Sequence, residues 1–210
     1  MQFDFYDVIA VISAYLIGNI SPAIILGKMS GIDIKKEGSG NAGTTNALRV
    51  LGKKAALITL AVDILKGVLA VQLGMLCGYE TGAICALAVF CGHIWPCLYK
   101  FKGGKGVATA FGALLSVNWM LALSALAIVA CGLLMSKRMS VGSLLGAATF
   151  PIICHFMEPD FFWIGCVMAL IVLLKHRSNI TRLFKGEEPP MGIFKPKEAK
   201  SENKKEMQGK

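Results

Sequence analysis

Lysine and arginine are missing from most of this chain. Of the 22 such residues in 210, all but Lys66 fall in five short clusters, at 28–54, 100–105, 137–138, 175–185 and 195–210. The complementary connections carry acids and no bases: Asp4 and Asp7, Glu80, then Glu158 and Asp160. Although the net charge is +9, this distribution excludes a nucleic-acid binder, which needs a basic stripe on a folded polar surface. The N-terminus also lacks the basic n-region of a cleaved signal peptide, so the first apolar run is expected to be retained. Cysteine is present seven times, yet no CxxC pair occurs and no second ligand type stands at metal spacing. The cysteines read as small buried hydrophobes. With Cys154 and Cys166 alone near the expected outer side, there is no disulfide framework.

Apolar sequence fills the gaps. The hydrophobic fraction is 55% and the mean hydropathy +0.60, well above soluble domains. If every basic cluster faces the cytoplasm, an even number of crossings separates each pair. Residues 5–27 make one crossing, and residues 54–77 and 82–99 make a hairpin through Gly78-Tyr-Glu-Thr81. The run 107–135 exceeds one span of about 20 residues. It also ends at Lys137-Arg138, so it is expected to fold back near Asn118. Residues 141–156 and 161–175 form a last hairpin turning at Met157-Glu-Pro-Asp160. The expected fold class is an all-α integral membrane protein of seven segments, several short, with the N-terminus outside and the C-terminus cytoplasmic. Residues 1–188 form a single polytopic domain, and 189–210 a flexible charged cytoplasmic tail. A five-span alternative keeps 107–135 as one crossing and puts Lys137-Arg138 outside. Gly142-Ser-Leu-Leu-Gly146 is a GxxxG step that lets two helices approach.

Three glycine-rich polar segments interrupt the apolar runs, and such backbone belongs in a membrane protein only where it lines a site. Gly38-Ser-Gly-Asn-Ala-Gly43 matches GxGxxG, but no βαβ unit surrounds it, so it is not a dinucleotide fingerprint. Its glycines let backbone N–H groups converge on an anion. Ser39, Asn41, Thr44 and Asn46 add neutral donors, and Arg49 a planar fork suited to phosphate. Gly103-Gly-Lys-Gly106 fails the Walker A pattern, since Tyr99 and Gly106 stand where Gly and Ser or Thr are needed. It remains a glycine turn with Lys105 opening a helix at Val107, a suitable oxyanion or phosphate site. The third segment places His176, Asn179 and Glu188 at the inner end of the last helix, with Arg177 and Arg182 as lipid-phosphate anchors. His176 reads as a general base, a phosphate ligand or a structural donor. Ser140 opens another helix on the same face.

Asp63 and Lys66, mid-span at i, i+3, read as a structural ion pair before a ligand set. His93, shortly before Pro96, reads as a hydrogen-bonding residue at a helix kink. His155 and Asp160 spell HxxxxD, a motif used by one class of acyltransferases. Parity puts them on the outer face, away from every basic cluster, and chance explains them.

Taken in order, Gly38-Ser-Gly-Asn41 with Thr45-Asn46, then Gly92-His93-x-x-Pro96 leading into Phe101-Lys-Gly-Gly-Lys-Gly-Val-Ala-Thr109, and finally His176-Arg-Ser-Asn-Ile180 with Arg182-Leu183 and Gly186-x-Glu188, resemble three motifs of one family. It is the bacterial acyl-phosphate-dependent glycerol-3-phosphate acyltransferases of PlsY type. Asn19-Ile-Ser-Pro22 and Asp63-x-x-Lys-Gly67 are similar to it as well, so the resemblance covers residues about 15–188. It implies a bacterial plasma (inner) membrane protein with an active site facing the cytoplasm. The implied reaction moves a fatty acyl group from acyl phosphate to the 1-hydroxyl of sn-glycerol 3-phosphate. Lysophosphatidate and inorganic phosphate are the products, and no cofactor or metal is implied. Gly103, Gly104, Lys105 and Gly106 would hold the acyl-phosphate head. Ser39, Arg49, Lys105, His176 and Asn179 would bind the two phosphates, with Asn41, Ser140 and Glu188 shaping the site. Lys105, His176 and Asn179 would carry catalysis. Implied partners are both substrates, membrane lipids and the enzyme that makes acyl phosphate. The rival reading is a transporter for a small phosphorylated anion, with broken helices aimed at the ligand.

Overall fold

The computed structural model describes residues 4–192, and among them every regular element is helical. The fifth basic cluster and most of the expected tail lie outside the described residues. Helix α1 (Phe5–Gly18) starts in a capping box: the Asp4 side chain accepts from the N–H groups of Tyr6 and Asp7, and Asp7 accepts from the Asp4 N–H. It breaks at Asn19–Ser21, and Pro22 opens α2 (Pro22–Met29), where a missing N–H does no harm. Short α3 (Thr44–Val50) leads to the long helices α4 (Lys53–Met75) and α5 (Tyr79–Ile94). The remainder are α6 (Val107–Val117), α7 (Trp119–Ser136), α8 (Met139–Met157), α9 (Phe162–Lys175) and α10 (Arg177–Phe184).

The chain does break at Asn118. Its extended backbone (φ −155°) stops α6, and its side-chain oxygen caps α7 by accepting from the N–H groups of Met120 and Leu121, at 3.0 and 3.1 Å. The count of seven crossings does not follow from length and composition, however. Five segments are long and apolar enough to cross a membrane: Phe5–Met29, Lys53–Met75, Tyr79–Tyr99, Trp119–Ser136 and Met139–Met157. A sixth is gained if α9 and α10 are taken together across their 51° bend. Helix α6, with 11 residues, rises only about 16 Å, half of a hydrocarbon core of roughly 30 Å.

Charge sorts to two ends of the bundle. At one end Lys35 Nζ donates to the Tyr99 carbonyl at 3.3 Å, Arg138 Nε to that of Glu188 at 2.8 Å, and Lys105 Nζ to Asn179. At the other, Tyr79 and Asn118 both donate to the Glu158 carboxylate, at 2.7 and 2.8 Å, and Thr81 donates to Asp7. Between these ends small residues bring helices together. A Cβ on Gly112 would overlap the Ile64 carbonyl, locking α6 against α4. On α8, a Cβ at Gly142 would overlap the Val129 carbonyl of α7, so the GxxxG step does mediate a close approach.

Candidate active site

A cavity of about 470 Å³ opens at the basic end among α4, α6, α7, α8 and α9. Its walls are apolar, with Phe111, Leu114, Val129, Phe150 and Met168, and its rim is polar. That rim unites Ser39, Asn41, Arg49, Lys105, Gly106, Ser140, His176, Asn179 and Glu188, drawn from three separate sequence segments and the start of α8. A second cleft of about 270 Å³ lies alongside and is lined by Gly103, Lys175, Arg177 and Ser178. Ser39, Asn41 and Lys105 belong to both spaces. Lys105 thus stands where an apolar pocket meets a polar one.

A chain of contacts fixes that lysine. Its Nζ donates to Asn179 Oδ1, while Asn179 Nδ2 donates to Glu188 Oε1 at 2.7 Å. Glu188 Oε2 in turn accepts from Arg182 Nε at 2.7 Å. An ionised carboxylate only accepts, so Glu188 compels Asn179 to turn its amide nitrogen inward and its oxygen toward Lys105. Burial opposes the Glu188 charge, but the Asn179 amide, the Ser140 hydroxyl and Arg182 together outweigh it and hold the carboxyl below its usual range. Arg182 therefore has a partner within the site, where the sequence alone suggested a lipid anchor.

The glycine turn is built differently from a cradle of N–H groups. The Gly103 and Gly104 N–H groups donate to the carbonyls of Ile94 and His93, each at 3.1 Å. A Cβ on Gly103 would overlap that His93 carbonyl, and one on Gly104 would overlap the His93 ring at Nε2. Close approach to the end of α5 demands these two glycines. Gly104 lines neither space, and Gly103 lines only the polar cleft. Gly106 has φ +81° and hands the chain to α6, whose first-turn N–H groups begin without helical partners.

In the first segment Asn46 is a staple and not an open donor. Its Oδ1 accepts from the Ser39 N–H at 2.8 Å, and its Nδ2 donates to the carbonyls of Ile34 and Glu37 at 3.1 and 3.0 Å. Thr44 Oγ1, by contrast, is buried on the cavity wall with no hydrogen-bond partner among the described residues. Leaving a hydroxyl so costs about 1–3 kcal/mol unless a ligand or water satisfies it. His176 Nδ1 lies 2.8 Å from the Val172 carbonyl. A carbonyl only accepts, so Nδ1 carries a proton. Burial and the Lys105 charge push the ring's pKa down to about 4, so it is neutral and Nε2 keeps its lone pair.

Asp63 and Lys66 pair as expected, Nζ to Oδ1 at 2.7 Å, but His93 joins them and both Asp63 and His93 reach the cavity wall. Sequence reading assigned neither to the site. His155 and Asp160 line neither space, and the His155 ring packs edge-on against Phe156 and Phe162.

An apolar pocket roofed by cations and embedded in membrane-length helices defines an integral membrane protein that handles an amphiphilic anion. The glycerol-3-phosphate acyltransferase family matches residues 8–186, and the chain belongs to that family. The glycerol-3-phosphate acyltransferase of Thermoanaerobacter pseudethanolicus is 46% identical over 191 residues, covering 89% of this chain and 96% of the relative. That of Clostridioides difficile is 41% identical over 204 residues, covering 91% and 98%. The crystal structure of PlsY, an integral membrane glycerol 3-phosphate acyltransferase, in its glycerol 3-phosphate form matches with a TM-score of 0.85 at 30% identity. That match covers 90% of this chain and 99% of PlsY. The lysophosphatidic acid form matches with 0.81 at 31% identity, covering 89% and 95%. The protein is therefore a multi-pass membrane acyltransferase of phospholipid synthesis.

One consequence concerns pH. Burial lowers the Lys105 pKa to about 8, with the Glu188 charge opposing and neighbouring cations assisting. Below that value the group is an ammonium; above it the group is neutral. Affinity for glycerol 3-phosphate should therefore fall as pH rises through about 8, approaching tenfold per pH unit if proton and phosphate bind together. Calorimetric titration from pH 6.5 to 9.5 checks this. Lys105→Arg, which stays charged throughout, should flatten the profile.

Proposed function

We propose that the acyl donor is acyl phosphate and that the enzyme transfers its acyl group directly to the 1-hydroxyl of glycerol 3-phosphate. The observation that carries this reading is Lys105 at the junction of the two spaces. The apolar cavity suits a fatty chain, the polar cleft suits a small hydrophilic phosphate, and their reacting ends meet at one cation. An acyl phosphate joins a chain to a phosphate through a single carbonyl, which matches that geometry.

Arg49, Lys105 and Ser39 hold the phosphates and offset the repulsion between two anionic substrates. Thr44, whose hydroxyl lacks a partner among the described residues, supplies a further donor, and Ser140 shapes the site beside Glu188. The hydroxyl oxygen attacks the carbonyl carbon, and its proton passes to His176 Nε2 or to a substrate phosphate oxygen. The bond from that carbon to the phosphate oxygen then breaks, and phosphate leaves with the electron pair. Phosphate is already a good leaving group, so aimed donors at the developing oxyanion carry most of the catalysis, each about 10²–10³ in rate. No acyl-enzyme is formed. The acyl chain lies between α6–α7 and α8–α9 and reaches the lipid sideways. In the membrane we place the basic end, and with it the active site, on the cytoplasmic side of the bacterial inner membrane. The N-terminus is outside, and α6 is a short seventh crossing shielded by its neighbours. The enzyme that makes acyl phosphate is then a natural supplier.

Phosphate release by the purified protein in detergent tests the reading. With palmitoyl phosphate, release should depend on glycerol 3-phosphate and leave no covalently acylated protein. Turnover with palmitoyl-CoA in place of palmitoyl phosphate would overturn the donor assignment.

A further inference from the structure

We propose that His93 is a further catalytic residue, donating a hydrogen bond from Nε2–H to an anionic oxygen of the acyl phosphate as its carbonyl is attacked. The inference rests on the acyl-phosphate reading above. Its physical basis is the way Asp63 and Lys66 decide which nitrogen of the ring carries the proton.

Lys66 Nζ has three neighbours: Asp63 Oδ1 at 2.7 Å, the Ile20 carbonyl at 2.7 Å and His93 Nδ1 at 2.8 Å. Asp63 Oδ1 makes no hydrogen bond among the described residues, so its contact with Lys66 is an ion pair. The ammonium, which has no lone pair, can only donate to the Ile20 carbonyl and to His93 Nδ1. His93 Nδ1 therefore keeps its lone pair. Asp63 Oδ1 also lies 3.3 Å from Nδ1, but a proton placed there to serve it would face the ammonium at 2.8 Å. The neutral ring must then carry its hydrogen on Nε2. All three side chains are buried, with His93 only 5% exposed.

Nε2 faces the Gly104 turn next to Lys105, on the wall of the cavity, and has no partner among the described residues. An N–H that no protein acceptor uses and that a cavity leaves open is available to a ligand there. His176 is the mirror case, with Nδ1–H committed to the Val172 carbonyl and a lone pair on Nε2. Two neutral histidines thus line one cavity, one preset as donor and one as acceptor. A neutral imidazole held as a donor polarises a carbonyl or stabilises an oxyanion without surrendering its proton.

Two amide replacements separate this role from packing. The glutamine amide reaches about as far as Nε2, and the asparagine amide only as far as Nδ1. His93→Gln should keep kcat with palmitoyl phosphate within about tenfold of wild type. His93→Asn, which still gives Lys66 an acceptor, should lose about 10²–10³ in kcat. KM for both substrates should stay within a few-fold, while equal losses in the two variants would reduce His93 to a structural part and overturn the proposal. So would full activity of His93→Asn. Nitrogen-15 spectra of histidine-labelled protein provide a readout independent of turnover. Protonated Nε2 with bare Nδ1 at His93 is expected, and the opposite tautomer would sink the inference. A wild-type protein inactive with palmitoyl phosphate but active with another acyl donor would instead remove the acyl-phosphate reading.

Discussion

Lys105→Ala is expected to lower kcat about 10²–10³-fold, the loss associated with one donor to a developing oxyanion. The effect should be large because Lys105 serves both spaces and is held in place before substrate arrives. Asn179 presents its oxygen to the ammonium only because Glu188 occupies its nitrogen, and Glu188 is steadied by Arg182. This ordering makes the losses non-additive. Asn179→Ala combined with Lys105→Ala should be little worse than Lys105→Ala alone, since the amide acts through the lysine. Glu188→Gln removes the reason for Asn179 to face one way, and an intermediate loss in kcat should result. Steady-state rates with palmitoyl phosphate and glycerol 3-phosphate, beside thermal melts to confirm folding, check the series. A Lys105→Ala enzyme with wild-type kcat and only a raised KM would make the lysine a binding group with no part in the chemistry.

Much of this arrangement is legible in the order of residues, because charge in a membrane chain is informative. The absence of bases from the apolar runs marks the helices, and Asn118 marks a break through its ability to cap the helix that follows. The three polar segments point to the site because flexible backbone at membrane depth needs a reason. What sequence cannot supply is contact across helices. His93 sits 27 positions from Lys66 on another helix, and nothing near it in sequence announces that partner. The pair at 63 and 66 is visible from its spacing, but a third member that turns an ion pair into a device for fixing a tautomer is not. The same limit applies to Gly103 and Gly104. A glycine run beside a lysine suggests N–H groups converging on phosphate, yet those N–H groups go to the end of α5 and a neighbouring ring excludes any Cβ. Asn46 looks like one more donor until its three bonds within the loop are seen. Local chemistry predicts where a site is, and packing decides which of its groups are free.

Asp63→Ala is expected to destabilise the protein by about 3–5 kcal/mol, the usual result of stripping a buried charge of its partner. Lys66 would remain inside the bundle, 4% exposed, with the Ile20 carbonyl and His93 for company and no counter-ion. Replacing both charges, as Asp63→Leu with Lys66→Met, removes the stranded ammonium and should recover a good part of that loss. Recovery should stop short of wild type. Lys66 also satisfies the Ile20 carbonyl at the break between α1 and α2, and leaving that acceptor bare costs about 1–3 kcal/mol. Denaturation in detergent, compared across the single and double variants, measures the ordering. The double variant is the more telling protein, because it should fold and still turn over poorly. Without Lys66 nothing holds the proton on His93 Nε2, so stability and rate should part company there. If the doubly substituted enzyme regained both together, the buried pair would be a matter of folding alone.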